Sequence, residues 1–217
     1  MKTDSQLQHD VIEELRWEAS INAAQIGVTV KDSIVTLSGE VDSFAQKWDA
    51  EVVAQRVWGV KGMAIDIHVT LPGSARRSDA DIAHSAENVL QWTTFLPMDS
   101  VKVVVENGWV TLSGEVDWDY QRQSAAKAVR CLMGVTGVSD QIALKPTVSL
   151  GTIKADIEAA LKRRAKADAP DISVEVRGTH VILSGTVHTC AESELARHAA
   201  WSAPGVHHVV DNITISA

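Results

Sequence analysis

The sequence predicts an α/β protein of the α+β type: three tandem α-β-β-α-β modules, each a three-stranded mixed sheet with two helices on one face. Three observations carry this prediction. The phrase VTLSGEV stands at 35–41 and again at 110–116, and VILSGTV stands at 181–187. Apolar residues recur at constant offsets from Gly39, Gly114 and Gly185 through the whole of each stretch. Within each copy the apolar period switches from helical to alternating and back, which marks helices and strands in a fixed order. The repeats divide the chain into modules at 1–71, 76–146 and 149–217.

Each copy opens with a helix. Leu7, Val11 and Leu15, then Ile82, Ala86 and Leu90, then Ile153, Ile157 and Leu161 are spaced by four, one apolar stripe per copy. Alternation follows in Val28 and Val30, a two-residue turn, then Val35, Leu37 and Val41. The turns read DS, NG and GT, residues that accept the positive φ of a tight hairpin. Gly39, Gly114 and Gly185 end the second strand, where a side chain is expected to obstruct the helix above. A second helix such as SFAQKWDAEVVAQRVW is stopped by Gly59, Gly134 or Gly205 at the C′ position. The last strand, AIDIHV, DQIAL or VDNITI, lies parallel to the second through a right-handed crossover.

The alternating apolar residues share one sheet face. The other face carries Thr29, Lys31, Thr36 and Ser38 in the first copy but Val104 and Trp109 in the second, and His180 and Ile182 in the third. Packing between modules is one account of that difference, and a ligand or partner surface is the other. Stretches near 70–79 and 145–151, which contain Pro, Gly and Ser, read as short linkers. Modules of about 70 residues are near the size below which a single core is not self-sufficient, so contacts among the three are expected.

The net charge of −8 argues against a nucleic-acid partner, which needs a basic surface, and against strong general attraction to an anionic bilayer. No apolar leader and no run of about 20 apolar residues is visible, so a cytoplasmic location is expected. Cys131 and Cys190 occupy non-equivalent repeat positions and read as reduced thiols, not a disulfide framework. Cys131, in VRCLMGV, is expected to be a buried structural thiol. Cys190 stands near a helix start; an ordinary thiol is expected there, with one activated by the helix dipole as the alternative.

The hairpin-ending VTLSGEV and the downstream GVKGMAIDIHV, GVTGVSDQIAL and GVHHVVDNITI resemble the BON domain family. Asn212 keeps the family's asparagine where the other copies have Asp66 and Gln141. The resemblance covers nearly the whole chain as three copies. It implies a small, usually non-enzymatic α/β module associated with phospholipid or membrane-surface binding and with envelope maintenance under osmotic stress.

No residue pattern indicates catalysis. Ser38, Ser113 and Ser184 sit in strands before glycine, without an elbow-type turn. The histidines lack metal-ligand spacing, and no phosphate-binding glycine loop is present, so no metal or cofactor is expected. Two features suggest a binding surface. The run Lys162, Arg163, Arg164, Ala165 and Lys166 is the most basic stretch, in a module with seven basic against eight acidic residues over 148–217. It reads as a solvated helix end or as a patch for an anionic headgroup or acidic partner. Seven of the ten aromatic residues are tryptophans, which favour boundaries between wet and dry. They belong at seams between modules or on a lipid or protein surface; Trp118, between Asp117 and Asp119, and Trp109 are the candidates for the latter. The expected function is a non-catalytic binding protein for phospholipid or a membrane surface, linked to osmotic stress. The alternative is a module that contacts other proteins or itself.

Overall fold

The computed structural model describes residues 2–145, 157, 172–203 and 206–215. The described elements of the first module are α1 (Asp4–Trp17), β1 (Ile26–Lys31), β2 (Ile34–Val41), α2 (Phe44–Gln55) and β3 (Gly62–Val69). Those of the second are α3 (Asp79–Gln91), β4 (Val101–Glu106), β5 (Trp109–Val116), α4 (Asp119–Arg130) and β6 (Gly137–Leu144). The third contributes β7 (Ile172–Arg177), β8 (His180–Val187), α5 (Cys190–Trp201) and β9 (His208–Ile215). Each module has its own three-stranded sheet with the phrase-bearing strand in the middle, paired antiparallel to the strand before it and parallel to the strand after. The predicted fold class is therefore the one observed.

The helical stripes lie where their spacing predicts. Leu7, Val11 and Leu15, and Ile82, Ala86 and Leu90, are buried against their sheets, joined by Val35, Leu37 and Val41 or Val110, Leu112 and Val116. Thr3 and Ser78 close capping boxes at the starts of α1 and α3, satisfying otherwise unpaired helical N–H groups. Asp32 and Ser33 take φ of 52° and 64°, and Asn107 and Gly108 take 52° and 78°, the positive pair that a two-residue hairpin requires. In both modules the first helix holds that turn. The N–H groups of Asp32 and Ser33 donate to the Asp4 carboxylate at 2.9 and 3.0 Å, and those of Asn107 and Gly108 to Asp79 at 2.8 and 2.9 Å. The same offset in the third copy falls on Leu150, which has no acceptor in its side chain.

The glycine of the repeated phrase has a different reason from the one expected. Gly39 and Gly114 adopt φ of +131° and +133°. A Cβ there would stand 2.0 Å from the Gln25 carbonyl oxygen or 2.1 Å from that of Ser100. The obstruction is the backbone leading into the neighbouring strand, not the helix. Gly185 shares the conformation at φ +143°, Gly59 and Gly134 have φ of +100° and +90°, and Gly205 lies outside the described residues.

The three modules touch one another pairwise, and they do so through their second helices. Phe44 of α2 packs against the core of the second module, and the Arg130 guanidinium of α4 sits 3.5 Å from the centre of the Trp48 ring. Arg122 of α4 lies over Trp201 of α5 at 4.9 Å. The Cys190 thiol of α5 packs against the first module's core and donates to the Val60 carbonyl at 3.3 Å. Phe44, Asp119 and Cys190 occupy one repeat position, the fifth residue after the phrase glycine. Asp119 is only 3% exposed, its charge held by Arg122 and by Gln123 at 2.6 Å. Phe44 and Cys190 thus each pack on a neighbouring module, Asp119 bears on the third module only through Arg122, and the modules close on one another instead of forming an open string.

Candidate functional site: an exposed aromatic surface

Two tryptophans go to the seams: Trp48 under Arg130 and Trp201 under Arg122. Trp17 and Trp92 do not. They occupy one repeat position, at the ends of α1 and α3, and are 88% and 87% exposed. The position that matches them in the third copy is Arg163.

The second module exposes further large apolar side chains. The segment after α3 carries Phe95, 60% exposed, and Met98, 88% exposed. Phe95 meets Tyr120 of α4 edge to face, with ring centres 6.0 Å apart. A buried glutamine holds the arrangement. The Gln121 amide donates to the Phe95 carbonyl at 2.8 Å, while its side-chain oxygen accepts from the N–H groups of Asp117 and Trp118, each at 3.0 Å. The aromatic surface is thereby tied to the first turn of α4.

The residues singled out from sequence are dispersed. Trp118 stands at the N-cap of α4, part-exposed and close to Tyr120 in the chain. Trp109 lies on the open sheet face, half-exposed; its indole donates to Ser139 Oγ at 2.8 Å, and its ring covers Gly137, whose added Cβ would meet it at 2.3 Å. That tryptophan is committed to its own sheet. Lys162, Arg163, Arg164 and Lys166 lie outside the described residues. The sequence reading missed Phe95, Met98 and Tyr120. Its available signal was the apolar run in TTFLPMDS, polar in outline but with three large apolar residues where a loop needs none.

One of the two thiols corrects an expectation. Cys131 is exposed, because α4 ends just before it and turns it away from the core. Burial raises the Cys190 thiol pKa, with Glu194 adding to the effect, so the helix start does not activate it. At the seam of the first two modules, burial raises the Glu51 carboxyl against the opposing pull of Lys47 and Arg130. Burial likewise raises Asp140, opposed by the Ile142 N–H and by Arg122. Among the described residues, no three His, Cys, Asp or Glu side chains are gathered as a metal site requires, and no helix is long and apolar enough to cross a membrane.

The architecture defines a class: a tandem array of small α/β modules closed through their second helices, with aromatic side chains left open elsewhere. The BON domain matches at 3–70, 78–146 and 149–217, and the chain belongs to the BON domain family. It is 33% identical over 130 residues to osmotically-inducible protein Y of Escherichia coli strain K12. That match takes in 58% of this chain and 65% of the relative, a little under two thirds of its length. Two solved structures align along the chain at low similarity. One is CdsD, a structural protein of the type III secretion system of Chlamydia trachomatis, 12% identical, covering 96% of this chain and 91% of that one, with a TM-score of 0.27. The other is the PrgH periplasmic domain, 14% identical, covering 96% and 100%, with a TM-score of 0.23. Scores this low carry no argument about the whole molecule.

Proposed function

We propose that this chain is a non-catalytic binding protein that docks on phospholipid membrane surfaces during osmotic or envelope stress. The observation that carries the reading is the exposure of Trp17 and Trp92 at equivalent helix ends, extended by Phe95 and Met98. Tryptophan and phenylalanine at a wet–dry boundary bury their rings among headgroups while the indole N–H keeps a polar partner. Lys162, Arg163, Arg164 and Lys166 of the third copy would add attraction to anionic headgroups, a local effect against a net charge of −8. The stress context comes from the similarity to osmotically-inducible protein Y, and the cytoplasm is the compartment proposed with it.

Flotation with phosphatidylcholine vesicles and with vesicles containing phosphatidylglycerol tests the reading. The protein is expected to float with both, more with the anionic ones, and Trp92→Ala with Phe95→Ala is expected to lower the floated fraction severalfold. Failure to float with either lipid, or undiminished flotation of the double variant, contradicts it. Arg163→Glu with Arg164→Glu should remove only the preference for anionic vesicles. Cell fractionation reads the compartment. A protein partner is favoured by a separate observation, the open edge of β4.

A further inference from the structure

In a hairpin closed by a two-residue turn, the residues flanking the turn form a hydrogen-bonded pair, and the pairing alternates from there. Glu106 faces Trp109 across the Asn107–Gly108 turn, so Glu106, Val104 and Lys102 point their backbone groups at β5. Those of Val105, Val103 and Val101 point outward, along the free edge of the sheet. The first module has the same geometry on β1 but closes it: the Gln8 amide of α1 donates to the Val28 carbonyl at 2.7 Å. The residue at the Gln8 position in the second module is Ala83, whose side chain has no donor.

Packing follows the same difference. Ile26 and Val28 of β1 are buried, as is Val174 of β7, whereas the matching Val101 and Val103 of β4 are only part-buried. Between α3 and this edge runs a groove of about 640 Å³, lined by Ala83, Leu90, Leu96 and the consecutive residues Val101 to Val104. Four strand residues span about 14 Å, the length of a short added strand. Unpaired backbone groups beside uncovered apolar side chains form the surface that strand addition uses.

We propose that this groove binds an extended peptide segment of a partner protein, added to the second module's sheet as a fourth strand along β4. Every other residue of the segment is apolar, β-branched or aromatic, and faces Val101, Val103 and Leu90. The Lys102 side chain, exposed on the open face of β4 and without an ion-pair partner among the described residues, favours an acidic residue among those between. The groove meets the aromatic surface at Met98, but the peptide is read by the β4 edge and the lipid by Trp92 and Phe95, so failure of the peptide test leaves the lipid reading standing.

The test is selection of a displayed library of random linear peptides on the full chain, with Ala83→Gln as the comparison. Glutamine restores the Gln8-type donor on an intact helix, since its helix propensity is close to that of alanine. Enriched peptides should alternate in polarity, slow amide exchange at Val101 and Val103, and bind Ala83→Gln at least tenfold more weakly. Lys102→Glu should weaken the acidic members of the set without changing the fold. If Ala83→Gln loses its circular dichroism signal, Lys102→Glu and the exchange map on the native chain decide. No enrichment, protection elsewhere, or equal binding by Ala83→Gln overturns the proposal. So does concentration-dependent protection of Val103 without peptide, which would assign the edge to a second copy.

Discussion

At the residue scale, the repeated phrase is explained by one atom. Gly39 recurs in equivalent form because a Cβ would press on the Gln25 carbonyl from a φ that L residues rarely adopt. Gly39→Ala should therefore cost more than about 2 kcal/mol in urea unfolding, combining backbone strain with a clash. Gly178, at φ +63° with nothing within 4 Å, separates the two contributions, and Gly178→Ala should cost only about 1 kcal/mol. Glu51 makes the electrostatic case. Its carboxyl is raised by burial in the folded chain, so its ionised form opposes folding. That penalty is present above the folded pKa and fades as pH falls toward the unfolded value of about 4.5. Glu51→Gln should raise the melting temperature at pH 7, with the gain shrinking near pH 4; a variant less stable than wild type at pH 7 contradicts the sign.

At the element scale, each first helix does two jobs: it covers the core and it pins the hairpin turn. Asp79→Ala should release the amides of Asn107 and Gly108, cost about 1–2 kcal/mol, and speed hydrogen exchange there more than in the strands. Gln121→Ala should loosen the segment bearing Phe95 and reduce vesicle binding without removing any contacting ring. The helices, strands and their order were legible in the sequence because they rest on local periodicity and on turn residues such as Asn107 and Gly108. The cause of the phrase glycine was not, because its contact is to a backbone carbonyl that no side-chain pattern records. Gln121 was equally hidden: its role depends on where the loop before β4 returns in space. Cys131 was misread because an apolar run at a helix end predicts burial only if the helix continues.

At the scale of the whole molecule, three copies of one module close on one another with their second helices at the seams, and the surfaces where copies differ are left to bind. The seam between the first two modules depends on Trp48 and Arg130. A double-mutant cycle with Trp48→Ala and Arg130→Ala should give a coupling of about 0.5–2 kcal/mol in unfolding. Additive effects would mean that the contact contributes nothing. The sequence places tryptophans at equivalent positions but cannot say which meet a seam, since that depends on how modules pack. Trp48, still 36% exposed, and Trp201 each meet an arginine from a neighbouring module, while Trp17 and Trp92 are 88% and 87% exposed. Quenching of tryptophan fluorescence by brominated phosphatidylcholine vesicles tests this division most directly. The account predicts quenching in the native chain that is lost when Trp17 and Trp92 are replaced by serine, with Trp48, Trp58, Trp109, Trp118 and Trp201 still fluorescent and unquenched. Quenching that persists in that variant would contradict it.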